Sequence, residues 1–289
     1  MTPAAADPDR LIVLVPVYKP RLDALEDFSL RHSLRQLTPG RRVALLAPQS
    51  LDLTAYAGYA ADCPGLHVVR APDAFFGSIK GYNLLLLDEA FYARFAANEF
   101  MLILQTDALV LRDELDAWMT RGHDYVGAPW PQALEIRVEL DRYAGAPRAV
   151  RTHVGNGGFS LRRTAACIAL LREFAQARDY FLKSGSSEDL FFAFMGAVSQ
   201  RFTMPTEAEA ARFALELQPR RYHHLNGGQP PMGGHAWWKY EPGWWLQQLP
   251  PAAAAQAALL LAAAAVPGSD PSPAAISPDP APAEFLASV

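Results

Sequence analysis

The sequence predicts an α/β protein built on a doubly wound sheet, and two observations carry that expectation. Leu11-Ile-Val-Leu-Val-Pro-Val17 is an uninterrupted apolar run with β-branched residues, the pattern of a strand covered on both faces, as strands of parallel sheets are. Strand-like and helix-like stretches then follow one another. Leu22 to Leu37 carries Leu22, Leu25, Leu30 and Leu34 at roughly helical spacing, Arg42 to Ala47 is a second apolar run closed by Pro48, and Leu66 to Arg70 is a third. Strand, helix, strand and strand again within about seventy residues is the opening of a doubly wound fold. Ligands in such sheets bind outside the carboxyl ends of the strands. Tyr18, Lys19, the Pro48 loop, the segment after Arg70 and Asp107 are therefore expected around one crevice.

The remaining elements are read in the same way. Ile79 to Ala97 is a helical block, Met101 to Leu111 holds a buried strand and a second apolar piece, and Asp113 to Thr120 is a short helix. Tyr125 to Trp130 reads as a strand turning at Pro129. Gln132 to Arg151 shows little periodicity and reads as an excursion over the sheet. Thr164 is a plausible N-cap for a helix running to Phe181, and another helix starts at Ser187 or Glu188 and runs to Gln200. One domain over residues 11–250 is expected, followed by an Ala-rich helix at 251–266 and a disordered Pro/Ala-rich tail at 267–289. The apolar stretch Ala252 to Val266, about fifteen residues, falls short of the roughly 20 needed to span a bilayer.

Composition narrows the function. The 289 residues carry a formal net charge of −4 with no basic block, which argues against nucleic acid as a partner, because phosphate neutralisation needs clustered Lys and Arg. Cys63 and Cys167 fit neither a metal spacing nor a disulfide framework, and the first ten residues lack the apolar core of a signal peptide. The expected home is the cytoplasm, with at most peripheral contact at the inner face of the membrane.

Four constellations can carry chemistry. Asp107 is a lone carboxylate between two apolar segments, Met101-Leu-Ile-Leu104 and Ala108-Leu-Val-Leu111. Burying it unpaired is costly, so it needs solvent, a donor or a cation. Gly155-Asn-Gly-Gly158 is glycine-dense; its residues tolerate positive φ and let backbone approach a ligand, but the dinucleotide Gly-x-Gly-x-x-Gly spacing is absent. Glu188 and Asp189 open an apolar helix, where acidic residues suit the helix dipole and where Ser186 with Asp189 resembles a capping box. One of the two acids can also serve as a general base. His235, set among glycines and tryptophans, can ligate a metal, and the neighbouring indoles offer faces for stacking on sugar rings.

In order along the chain, Gly81-Tyr-Asn-Leu84, Leu104-Gln-Thr-Asp107, Tyr125-Val-Gly-Ala-Pro-Trp130, Gly155-Asn-Gly-Gly-Phe-Ser-Leu-Arg162, Glu188-Asp-Leu-Phe191 and Gly234-His-Ala-Trp237 resemble a bacterial family of uncharacterised glycosyltransferase-like proteins. That resemblance implies a GT-A-like doubly wound mixed sheet flanked by helices. It also implies a nucleotide-sugar donor, a glycan or other hydroxyl acceptor, and an inverting transfer in surface-glycan or other glycoconjugate synthesis. Such enzymes commonly use Mn²⁺ or Mg²⁺ on an Asp-x-Asp motif; here Gln105 stands at the first acid and Asp107 at the second. By the resemblance Asp107 and His235 are the metal ligands, and Asp189 or Glu188 is the catalytic base. Tyr18, Lys80, Asn83, Gln105, Asp107, Asn156, Gly157, Gly158 and Arg162 are expected on the donor side, and Trp130 and Trp237 on the acceptor side. The alternative is a catalytically silent nucleotide-sugar or glycan-binding protein on the same fold, which the Gln105 substitution favours. The oligomeric state is not readable from the chain.

Overall fold

The computed structural model describes residues 10–138 and 148–265. Its centre is a six-stranded sheet. β1 (Leu11–Pro16), β2 (Arg42–Pro48), β3 (His67–Ala71) and β4 (Phe100–Leu104) run parallel, while β9 (Phe159–Arg163) lies antiparallel between β4 and the two-residue β6 (Tyr125–Val126). The spatial order is β3-β2-β1-β4-β9-β6. The chain thus winds outward from β1 through β2 to β3 and then crosses back to β4, so the tips of β1 and β4 flank the switch in winding direction. This is the mixed α/β architecture the sequence predicts, and the switch point is where such sheets bind ligands.

The strands are apolar throughout because both faces are covered. Val13, Leu45 and Leu102 face one core with Leu30 and Leu34 of α1 (Ala24–Gln36) and Trp118 of α4 (Leu115–Met119). Ile12, Leu14, Met101 and Ile103 face the other, packed by α2 (Ile79–Leu86), α3 (Glu89–Ala93), α5 (Thr164–Glu173) and α7 (Glu188–Val198). A third cluster joins Leu25 and Phe28 of α1 to Trp237, Trp244, Trp245 and Ala257. These come from the C-terminal part of the chain, where α10 (Pro242–Gln248) is followed by α11 (Pro251–Ala264), the Ala-rich helix. Among the described residues no helix is long and apolar enough to cross a membrane.

A small three-stranded sheet positions the site. β5 (Leu109–Val110) pairs antiparallel with β11 (Gly233–Gly234), and β11 pairs parallel with β10 (Ala214–Leu215), which follows α8 (Glu207–Phe213). Leu109 lies opposite Gly234, and Gly234 opposite Leu215. The residues just outside these pairs (Asp107 before β5, Glu216 after β10, His235 after β11) are therefore delivered to the same end.

Four expectations differ from what is observed. Within Gln132 to Arg151, read as having little periodicity, the described residues are regular: β7 (Pro129–Val138) and β8 (Arg148–Val154) form a two-stranded antiparallel ribbon, with Ile136 opposite Val150 and both packed against the second core. Tyr125 to Trp130 is split between β6 and β7, which belong to different sheets. The single helix expected from Thr164 to Phe181 is two, α5 and α6 (Ala175–Ser184), broken at Phe174 with φ −115° and ψ 44°. Arg163, not Thr164, is the N-cap; Thr164 is buried inside the first turn and cannot cap it. The tail expected at 267–289 lies outside the described residues.

Candidate functional site

Asp107 sits in the turn after β4, whose backbone is tied to the glycine loop by the Gln105 N–H donating to the Gly158 carbonyl at 2.9 Å. Its two carboxylate oxygens meet two cations: Oδ1 lies 3.0 Å from His235 Nε2, and Oδ2 accepts from Lys239 Nζ at 2.9 Å. His235 is held at both ring nitrogens. Nδ1 lies 3.2 Å from Glu216 Oε1, and Nε2 lies 3.0 Å from Gln105 Oε1 as well as from Asp107. The second oxygen of Glu216 accepts from the Asn156 side-chain amide, and Asn156 Oδ1 in turn accepts from the Gly158 N–H at 3.2 Å. One continuous network thus joins the tip of β4, the glycine loop and the segments after β10 and β11.

The electrostatics follow from that network. Burial works against charge on His235, but the Asp107 and Glu216 carboxylates outweigh it and raise its pKa to about 10. Burial likewise opposes charge on Asp107, yet His235 and Lys239 hold its carboxyl well below the usual aspartate range. At neutral pH the pair is an imidazolium beside a carboxylate, with both ring nitrogens donating.

The glycine loop is glycine-rich for a reason the sequence does not reveal. Gly155, Gly157 and Gly158 all avoid positive φ; close packing excludes a side chain instead. A Cβ on Gly158 would lie 2.2 Å from His235 Nε2, and one on Gly157 would lie 2.7 Å from Glu188 Oε1. A Cβ on Gly155 would meet the Trp130 ring at 2.6 Å. The loop is the surface against which the imidazole, the Glu188 carboxylate and the indole pack.

Glu188 and Asp189, adjacent in sequence, have opposite environments. Glu188 is buried against Arg162, with Oε1 accepting from Nη2 at 2.8 Å, and the guanidinium is fully buried, also donating to Tyr92 and Ser160. Glu188 is thus paired with Arg162 while its Oε2 is buried with no hydrogen-bond partner among the described residues, and of the two acids Asp189 is the more exposed. By the same geometry Arg162 is committed to Glu188 rather than turned toward a donor phosphate. Asp189 is only partly buried at the first turn of α7. Ser187 is the N-cap but makes no capping bond; its hydroxyl donates to Asp189, which also accepts from the Leu190 N–H at 2.8 Å, so the capping box expected between Ser186 and Asp189 does not form. Burial first, then the Glu188 charge, raises the Asp189 carboxyl to about 7. Glu216 also contributes to that shift, so the two carboxylates lie within electrostatic reach of one another.

The other expected residues fall into three groups. Tyr18, at the tip of β1, is 52% exposed and near enough to Asp107 and Lys239 to feel both charges. Lys80 is exposed and its stem lies along Gly185, which has φ +74°, just before α7. Asn83 and Asn156 are buried and engaged internally, Asn83 accepting from the Glu188 N–H at 3.4 Å. Trp130 is 6% exposed and lies against the glycine loop. Trp237 is wholly buried, donating from Nε1 to Ser29 Oγ at 2.7 Å. Its indole is a core anchor between α1 and the C-terminal helices and offers no face to an acceptor.

Glu216 and Lys239 went unread in the sequence. Glu216 had a signal: like Asp107 it is one acid in an apolar stretch, Phe213-Ala-Leu-Glu-Leu217. Lys239 had none, since nothing in Trp237-Trp-Lys-Tyr240 distinguishes it from a surface lysine.

The Mn²⁺ or Mg²⁺ expected from the resemblance can be tested against these donors. Among the described residues no group of three or more His, Cys, Asp or Glu converges as a metal cage. Asp107 is the one carboxylate of the expected ligand pair, and its two oxygens already face His235 and Lys239. Hard dications want several oxygen ligands, so the residues as arranged do not fit a divalent cation.

No curated protein matches the chain. Among solved structures it is similar to S. aureus TarS, with TM-score 0.40 and 16% identity over 70% of this chain and 38% of that one. It is also similar to the apo-form glycosyltransferase GlyE of Streptococcus pneumoniae TIGR4, with TM-score 0.46 and 11% identity over 88% of this chain and 62% of that one. The chain spans less than two thirds of the length of either. Residues 65–235, more than half of the sequence, match the family described as "Protein of unknown function (DUF5672)", and the chain belongs to that family.

Proposed function

We propose that this protein is a glycosyltransferase that moves a sugar from a nucleotide-sugar donor to an acceptor hydroxyl with inversion, in bacterial surface-glycan or other glycoconjugate synthesis. The observation that carries the reading is Asp189: a half-buried residue at the first turn of α7 with its pKa raised to about 7, next to Glu188, which packs on Gly157 as His235 packs on Gly158. A base poised near neutrality combines proton affinity with a sizeable ionised fraction. Asp189 takes the proton of the acceptor hydroxyl as that oxygen bonds to the anomeric carbon. The bond from that carbon to the donor diphosphate breaks on the opposite face, and its electron pair leaves with the diphosphate. The Glu188–Arg162 pair anchors the first turn of α7, which carries Asp189. Tyr18 lies where a base or ribose would be contacted at the tip of β1.

The second reading, a silent nucleotide-sugar-binding protein, is favoured by the neutral Gln105 and by the pairing of Asp107 within the protein. Incubation with a panel of nucleotide sugars separates the two. Turnover gives nucleoside diphosphate release that Asp189→Asn abolishes, whereas a binding protein gains heat resistance without release.

A further inference from the structure

We propose that Lys239 is a diphosphate-binding residue, and that its ammonium gives this site a resident positive charge so that nucleoside diphosphates bind without a divalent cation. The proposal rests on the glycosyltransferase reading and deepens it at the same crevice. Where the resemblance leads one to expect two acids holding a dication, one acid, Asp107, meets two basic side chains, and a second carboxylate, Glu216, lies behind His235 at Nδ1. Gln105 is neutral, Asp107 Oδ2 holds Lys239 Nζ at 2.9 Å, and Asp107 Oδ1 lies 3.0 Å from His235. A dication entering here would meet a carboxylate already shared by two protein groups and would have to displace Lys239.

Lys239 is itself placed to act on a ligand. Its side chain is 32% exposed while Asp107 is nearly buried, so the ammonium forms the solvent side of the pair. It stands one turn beyond His235, its N–H bonded to the Ala236 carbonyl at 2.9 Å. Ala236 is buried and held at φ +49°, a conformation unfavourable for alanine that the surrounding packing must enforce. That bend is what turns Lys239 back over Asp107. Tyr18, exposed at the tip of β1, is close enough to feel the Lys239 charge. An aromatic face and an ammonium are therefore available to one nucleotide, and a flexible ammonium with three donors is a common binder of phosphate as a point charge. In the free protein Asp107 holds this ammonium over the crevice; a diphosphate, with greater charge, recruits it.

The test is isothermal titration of the full chain with UDP and with GDP, first in EDTA and then with added Mn²⁺. At least one nucleotide binds in EDTA, and Mn²⁺ changes its Kd by less than about tenfold, the equivalent of ~1.4 kcal/mol. Lys239→Met weakens binding roughly ten- to a hundredfold, the range for losing a hydrogen bond to a charged group, while Lys239→Arg retains it. Asp107→Asn discriminates further, because releasing the ammonium from its carboxylate leaves binding in EDTA intact or tighter, where a metal ligand would be lost. Circular dichroism checks that each variant is folded. Binding seen only with Mn²⁺, or a Lys239→Met protein that binds like the wild type, overturns the proposal and leaves the glycosyltransferase reading standing. Failure of UDP and GDP to bind under either condition counts against both.

Discussion

Replacing Gly158 with alanine tests whether the glycine loop is a packing surface for the imidazole. The added Cβ would lie 2.2 Å from Nε2, 2.3 Å from Cδ2 and 2.6 Å from Cε1 of His235. All three contacts are with one ring, which cannot slide away because Asp107 and Glu216 hold opposite nitrogens. Forcing a methyl group into a packed interior costs about 1–3 kcal/mol. Displacing the ring breaks at least one charge-assisted hydrogen bond, worth about 1.5–3 kcal/mol. The sum is roughly 3–6 kcal/mol, and at about 2–4 °C per kcal/mol for a domain of this size the melting temperature should fall on the order of 10 °C. Gly77→Ala is the control, since a Cβ there meets nothing within 4 Å. Differential scanning calorimetry of the two variants beside the wild type gives the comparison. If Gly158→Ala melts with the wild type, the loop does not constrain His235 and the network argument fails.

The other predictions draw on separate parts of the site. Because the His235 pKa is raised from 6.5 to about 10, its contribution to stability is fully present below pH 6.5 and is lost as the pH rises through about 10; unfolding free energies measured across that window should decline in the wild type more than in His235→Gln. Arg162→Met leaves Glu188 buried without its partner and should cost about 3–5 kcal/mol in urea unfolding, much of it recovered when Glu188→Leu is added; equal instability of the double variant would argue against a paired-charge origin. Trp237→Ala should destabilise by about 3–5 kcal/mol as a core truncation. Trp237→Phe should keep the acceptor KM of the wild type, and a large rise in that KM would restore the indole to the acceptor side. The transfer rate should climb through pH 7 as Asp189 ionises, and a flat profile would remove it as the base.

Much of this was legible because burial writes itself into sequence. The unbroken apolar run of β1 announces a strand covered on both faces, and a lone charge at a strand end, as at Asp107, marks the crevice. The ribbon was legible and misread. Leu134-Glu-Ile-Arg-Val138 alternates with period two, but the surrounding prolines and charges obscure it; Leu134 and Ile136 pack against the second core. Phe174 could not be foreseen as a helix break, since nothing in its local sequence disfavours helix and the break follows from packing. Several polar residues expected on the donor side are engaged within the protein. Arg162, Asn83 and Asn156 look like ligand-facing groups, yet each is consumed by Glu188 or Glu216. Which partner a buried polar group meets is decided by long-range pairing, and here two-residue strands bring together residues over a hundred positions apart.

The most direct measurement of the central claim follows nucleoside diphosphate release from a panel of nucleotide sugars, using wild-type protein and Asp189→Asn side by side. One donor class should yield release with the wild type and none with the variant, while both proteins gain thermal stability from that donor. Release that persists undiminished in Asp189→Asn, or a panel in which no donor is turned over by the wild type, would contradict it.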